Sequence, residues 1–426
     1  MDESRRWTYA TYAAIAVWIV FAVRLMIADV WDETNGMLAF SAATPLGGKL
    51  QFVLTQSLGF WRPLPTLVVV GVLHFVADFD VSWRVLRCLN VALLLGALFV
   101  FLRALRVASG ALPGPGPTGE TARVTRNTPL ATIFTASFLF SSSAVITAGW
   151  YANVFDASAL FLLAVGLSLL LRGRDLAAGV VLGVAFFCKE SAALGLPFLF
   201  VVFAAGRITF RQALRAGIPA TLLGALYFAL RSKIVAFGGA GDVHGFDAAL
   251  FVPTLVNLGE SFWEQNLKGF GLLGFLWLAV SLAALRRPRL IAAAVVFFVA
   301  TAVVYWGMFN EYQNGVLIHH LDFIGRLYLV PATLMLFLLA LERRTVAIAV
   351  LLIPIVFGGF VTWRDHARFQ RMYKRLYRTA EQAPVKPVTV HYPPKPLDDV
   401  VRGLKIGDLP DAAVTVDPKT GRLSYR

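Results

Sequence analysis

Long apolar runs separated by short polar breaks set the pattern of this chain. Runs of about 16 to 22 residues recur along most of its length, each able or nearly able to cross a ~30 Å hydrocarbon core as a helix. They fall at 8–28, 84–106, 130–148, 156–172, 175–189, 192–206, 216–232, 269–285, 289–307, 327–341 and 345–362. The stretch Leu64 to Ala77 is shorter and is bracketed by Pro63, Pro65 and the polar Ala77 to Asp80, so it reads as a juxtamembrane helix rather than a span. The pattern predicts an all-α fold, a polytopic membrane bundle of about eleven transmembrane helices with juxtamembrane helices in the first external loop, residues 29–83. Residues 1–363 make up the bundle. Residues 364–426 begin as a basic amphipathic helix, RDHARFQRMYKRLYR, and continue as a short polar tail. That tail is long enough for an extended arm or two strands but not for a domain core. No internal repeat is visible.

Charge fixes the expected topology. With Leu64 to Ala77 outside the count of spans, Arg103, Arg106, Arg123 and Arg126 share a side with Arg5 and Arg6. The alternation then puts the clusters Arg172 to Arg174, Arg207 to Arg215, Arg286 to Arg289 and Glu342 to Arg344 on that side as well. This is the positive-inside pattern, with the N-terminus cytoplasmic. The basic start of the tail runs against the rule, which long tails follow weakly.

Composition agrees and removes other classes. The chain has 426 residues, 58% of them hydrophobic and 15% charged, against roughly a quarter charged in soluble domains. Its mean hydropathy is +0.69. The net charge of +14 resides largely in the short clusters between apolar runs, where it sets topology, so no nucleic-acid partner is expected. Cys88 and Cys188 lie inside apolar segments and suit neither a disulfide framework nor a zinc site. The first run follows Arg5 and Arg6 without a small-residue cleavage site and reads as a retained anchor.

The polar residues of interest gather on the opposite face. They are Asp29, Asp32 and Glu33 after the first span, Trp61 and Arg62 before the juxtamembrane helix, Asp156, the pair Lys189-Glu190, and His319, His320, Asp322 and Arg326. Carboxylates at a membrane rim are costly unless solvated or employed. Together with separate cations they suit a reaction on a lipid-linked phosphate. A carboxylate can act as general base, while Arg and Lys stabilise a departing phosphate. Plainer alternatives stand beside each: a solvated helix end for the acids, headgroup snorkelling for Arg62, and a mutually satisfied ion pair for Lys189-Glu190. His319, His320 and Asp322 are metal-ligand types, but adjacent histidines point apart on helix or strand, so spacing does not favour a shared divalent metal. No cofactor is called for. The absence of a Gly-rich phosphate loop, a nucleophile elbow and HExxH disfavours a nucleotide-driven pump or a membrane protease.

Four short motifs in order, VWDET with Asp32-Glu33, WRPL at Trp61 to Leu64, CKES with Lys189-Glu190, and GRLYLVPA at Gly325 to Ala332, resemble the polytopic glycosyltransferases of the C class (GT-C). The resemblance spans about residues 8 to 362 and is closest to the branch holding the tetratricopeptide-linked O-mannosyltransferases; aminoarabinose and protein mannosyl transferases are more distant. It implies an inverting transferase that takes a sugar from a polyprenyl-phosphate carrier to a glycan, lipid or protein acceptor on the non-cytoplasmic face. The base would be Asp32, assisted by Glu33 or Asp29. Arg62 would lie near the carrier phosphate, Lys189 and Glu190 would shape the donor site, and Arg326 would add a phosphate contact. Trp61, Asp156, His319, His320 and Asp322 would line the substrate pocket. Asp-Glu stands where many relatives carry Asp-Asp, and no acceptor-binding domain follows, which weakens the case for a metal and for a protein acceptor. The Ala, Leu, Val and Arg-rich usage points to a bacterial inner membrane with a periplasmic site. Two rivals use the same rim charges: a transporter or flippase of a phosphate-bearing lipid, and a glycan polymerase or ligase with a pyrophosphate-linked donor. The lack of a repeat disfavours the transporter.

Overall fold

The computed structural model describes residues 3–25, 46–55, 61–76, 79–108, 120–149, 153–234, 285–306 and 329–349, two short strand pairs, and a few helical residues between 352 and 364. Twelve helices account for most of these: α1 (Glu3–Leu25), α2 (Leu46–Thr55), α3 (Pro63–Phe75), α4 (Phe79–Ala108), α5 (Glu120–Leu139), α6 (Ser142–Gly149), α7 (Val154–Leu171), α8 (Asp175–Ala185), α9 (Gly195–Ala204), α10 (Phe210–Ile234), α11 (Pro288–Trp306) and α12 (Leu329–Leu341). A 3-10 turn, Glu190–Leu194, precedes α9. Antiparallel pairings join β1 (Tyr312–Gln313) to β2 (Val316–Leu317) and β3 (Val414–Val416) to β4 (Leu423–Tyr425). The first has Asn314-Gly315 between its strands in sequence, a strong hairpin signal that the helical reading passes over.

Four helices are long and apolar enough to cross a bilayer, within Arg6–Val23, Arg84–Ala108, Val154–Leu171 and Phe210–Ile234. Helices α5 and α6 make a fifth if taken as one span bent by 57°. The bend falls at Phe140 and Ser141, inside the expected span 130–148, where the Ser141 hydroxyl donates to the Phe138 carbonyl and accepts from the Ala144 amide. A serine that serves the backbone in this way competes with the helical ladder. Shorter apolar helices, α3, α8, α9, α11 and α12, complete the bundle.

Helix α10 shows why these helices suit lipid. Leu214, Ile218, Leu222 and Leu226 recur every fourth residue and are exposed, whereas Ala213, Ala216, Ala220, Gly224 and Tyr227 face inward and are buried. A long exposed apolar stripe is rare on water-soluble surfaces, and small residues inside let membrane helices approach closely. The partner is α8, whose Gly179 and Gly183 are spaced as G-x-x-x-G. A methyl group on Gly179 would collide with the Ala216 carbonyl and the Pro219 ring, and one on Gly183 would strike Leu223.

The main core lies among α4, α5, α7, α9, α11 and α12. Aromatic contacts tie it together: Phe101 packs on Phe337 with ring centroids 4.8 Å apart, and Phe198 on Phe297 at 5.5 Å. On α1 the buried Trp18 contributes to it, and Thr11 meets Thr132 of α5 at 2.7 Å.

The two ends of the bundle differ in chemistry. At one end the turns after α7, α9 and α12 close alike: Arg174, Arg207 and Arg344 donate their amides to Leu169, Val202 and Leu339. Gly173 at φ 74°, Gly206 at φ 69° and Arg343 at φ 54° supply the left-handed step that such a cap requires. There the buried Glu342 carboxylate takes Arg207 at 3.4 Å and Arg287 at 3.3 Å, and Arg344 donates to the Leu285 carbonyl. The clusters at 207, 286–289 and 342–344, grouped in sequence by charge alternation, therefore meet in space.

Candidate functional site

At the other end, local backbone preferences present the polar groups. Arg62 precedes Pro63, and the proline ring drives the preceding residue out of the helical region, here to φ −134° and ψ 69°. Pro63 and Pro65 then open α3 where missing amide donors cost nothing. The Lys189 backbone is extended, φ −165° and ψ 146°, while Glu190 begins the 3-10 turn. Adjacent side chains on such a corner diverge.

That divergence removes the plainer alternative, a mutually satisfied ion pair between Lys189 and Glu190. Lys189 reaches Asp156 in the first turn of α7, forming a short ion pair whose side chains are 4% and 2% exposed. Glu190 turns the other way. Its Oε2 accepts from Nε and Nη2 of Arg62 at 3.0 and 2.9 Å, and its Oε1 lies 3.5 Å from Nε of Arg231. The Arg62 guanidinium also stands 5.5 Å from the centre of the Phe155 ring.

Tyr227 and Arg231, one turn apart near the end of α10, are the residues that sequence reasoning missed. The Tyr227 hydroxyl sits 2.8 Å from the Trp61 carbonyl and 2.9 Å from Glu190 Oε1, and its single proton is shared between the two acceptors. The Tyr227 ring stacks on Trp61, centroids 5.6 Å apart and planes 18° from parallel, with Phe187 edge-on to both. Trp61 donates its indole N–H to the Leu54 carbonyl, joining α2 to the start of α3. The Leu64 amide donates to the Phe187 carbonyl and docks α3 on the end of α8. A span-end arginine reads as a topology signal, so nothing in the pattern set Arg231 apart; its spacing of four from a buried tyrosine was the available clue.

Burial alone would push the Glu190 carboxyl up, but Arg62 and Arg231 outweigh it and hold the group down at about 2. Burial likewise works against the Arg62 charge, yet Glu190, Tyr227 and Asp156 leave the guanidinium more firmly protonated than usual. Glu190 and Arg62 thus face each other as an ion pair at neutral pH.

The structure thus joins five of the expected site residues, Trp61, Arg62, Asp156, Lys189 and Glu190, and adds two. Asp29, Asp32, Glu33, His319, His320, Asp322 and Arg326 lie outside the described residues. Among the described residues, no three His, Cys, Asp or Glu side chains are grouped so as to hold a metal ion. The arrangement can bind an anion through two guanidinium groups beside an aromatic wall. Compared with protein-family models, with curated proteins and with solved structures, the chain matches none.

Proposed function

We propose that this chain is an integral-membrane, inverting GT-C-type glycosyltransferase that moves a sugar from a polyprenyl-phosphate carrier to a glycan, lipid or protein acceptor. In this reading about eleven helices span a bacterial inner membrane, the N-terminus is cytoplasmic and the site faces the periplasm. One observation carries it: the Trp61–Arg62 turn docks on the Lys189–Glu190 turn, so two of the four motifs behind the GT-C resemblance, far apart in sequence, form one cationic cluster. Two arginines beside an aromatic wall are suited to a lipid phosphate, since a guanidinium fork matches phosphate oxygens. Asp32 acts as general base on the acceptor, with Glu33 or Asp29 assisting. The acceptor oxygen bonds to the anomeric carbon as its bond to the carrier phosphate breaks. Arg62, with Arg326, stabilises the leaving phosphate.

The test is incubation of the purified protein in nanodiscs with a polyprenyl-phosphate sugar and candidate acceptors. Release of free polyprenyl phosphate with a glycosylated product supports the reading, and Asp32→Asn abolishes that release while leaving donor binding intact. Movement of the headgroup across the bilayer without bond cleavage would assign the chain to the flippases instead.

A further inference from the structure

We infer that Glu190 is a resident counter-anion occupying the seat of the carrier phosphate between Arg62 and Arg231, and that the phosphate binds by displacing it. This rests on the transferase reading and adds to it a second phosphate ligand, Arg231, and an internal competitor.

The geometry of the clasp is lopsided. Arg62 donates two hydrogen bonds to Glu190 Oε2, at 3.0 and 2.9 Å. Arg231 is held only at 3.5 Å by Oε1, and its Nε, buried from solvent, has no hydrogen-bond partner. A buried guanidinium N–H left unmatched is a cost that a better-fitting anion would remove. A carboxylate has two oxygens in one plane. Here one serves Arg62 and the other is shared with the Tyr227 hydroxyl, so Arg231 is left short. Once the sugar has left, the carrier ends in a phosphate monoester, with three oxygens in a tetrahedral array and more negative charge than the sugar-bearing diester, enough to engage both forks at once.

Displacement also leaves no charge stranded. The Glu190 side chain is 20% exposed and has a path to solvent, while Lys189 next to it is fixed by Asp156. The turn can therefore stay in place while the Glu190 side chain swings out. The two arginines remain neutralised throughout, first by carboxylate and then by phosphate. The carrier competes with a tethered anion at high effective concentration, which limits its affinity. The same competition speeds its departure once the sugar has left. A carrier phosphate that bound to bare arginines would be a slow product to release.

The full-length protein is placed in nanodiscs of zwitterionic lipid and titrated with a polyprenyl phosphate, with the uncharged polyprenol as control. Glu190→Gln keeps the shape and the acceptor oxygen but removes the competing charge, so it binds polyprenyl phosphate about tenfold tighter or more. Arg231→Gln leaves the Arg62 pair in place and binds about tenfold more weakly. Glu190→Gln that binds no tighter, or that binds more weakly and melts earlier, would make Glu190 a structural tie and overturn the inference. If that variant does not fold, Arg231→Gln decides, and an unchanged affinity overturns it. The transfer assay runs in parallel. Wild-type turnover with no gain in Glu190→Gln sinks the displacement alone; a wild type that neither binds the carrier nor turns over sinks the transferase reading too.

Discussion

Replacing Lys189 with Met tests how much of this architecture depends on one buried pair. The substitution keeps the length of the side chain and removes the charge, leaving the Asp156 carboxylate, 2% exposed, without its lysine. Removing one partner of a buried ion pair costs about 3–5 kcal/mol, whereas an exposed pair is worth about 1 kcal/mol or less. The value at this site should lie at the lower end. Asp156 occupies the first turn of α7, where the helix dipole returns about 0.3–1 kcal/mol to a carboxylate. We therefore expect a loss of ~3 kcal/mol. Divided by an unfolding entropy of about 2 cal/mol/K per residue over 426 residues, this lowers the melting temperature by roughly 3–4 °C. The chain supplies its own reporter: Cys188, beside the pair, is buried, and Cys88 is exposed. In a Cys88→Ser background, a thiol-reactive dye that fluoresces on labelling follows the opening of this corner on heating in detergent. The double variant Lys189→Met with Asp156→Leu replaces the pair by apolar groups and should recover most of the loss. A single-variant cost under about 1 kcal/mol would place the pair in the class of solvated surface bridges and refute the reasoning.

Tyr227→Phe keeps the stack on Trp61 but strips the shared hydroxyl from the Trp61 carbonyl and Glu190, so it should cost about 1–2 kcal/mol in the same melting assay. The Glu190 carboxyl, at about 2 when folded and 4.5 ordinarily, stabilises the fold fully above about pH 4.5 and loses that contribution as pH falls towards 2. The difference in stability between wild type and Glu190→Gln should therefore be flat above about pH 5.5 and shrink below 4.5; its plateau is about 3 kcal/mol at most, because a fifth of the side chain is exposed. A difference that stays constant down to about pH 3 would contradict the shift. Gly179→Ala sets a methyl group against the Ala216 carbonyl and should destabilise by roughly 1–3 kcal/mol, and a Gly179→Ala protein that melts like wild type would show that α8 and α10 can move apart at no cost.

The helices were legible because period and length speak directly: the runs at 84–106, 156–172 and 216–232 correspond to α4, α7 and α10. The break at Phe140 was not, since a serine turning its hydroxyl onto the backbone leaves the apolar count unchanged. The pairing of Tyr312–Gln313 with Val316–Leu317 falls between the runs at 289–307 and 327–341, in a stretch that the apolar pattern leaves as a loop. At the site, the sequence marked Arg62, Asp156, Lys189 and Glu190 as polar groups sharing one face, and the fold brings the four together. It could not say who pairs with whom. Neighbours in sequence suggest neighbours in space, yet the corner between the extended Lys189 and the helical Glu190 sends each to a different partner. Arg231 was hidden by an ambiguity of position, because an arginine ending a span serves topology equally well.

The seam of Gly179 and Gly183 against α10 has a mechanical consequence. Helices in such close contact travel as one rod. Glu190, a short turn beyond α8, and Arg231, near the far end of α10, thus ride on a common frame whose spacing is fixed. Arg62 belongs to a different part, the proline-led α3, held there by the Trp61 stack, the Leu64 amide, the Tyr227 hydroxyl on the Trp61 carbonyl and its own pair with Glu190. A rearrangement that opens this cluster changes the distance from Arg62 to Glu190, while Arg231 keeps its place like the fixed jaw of a vice.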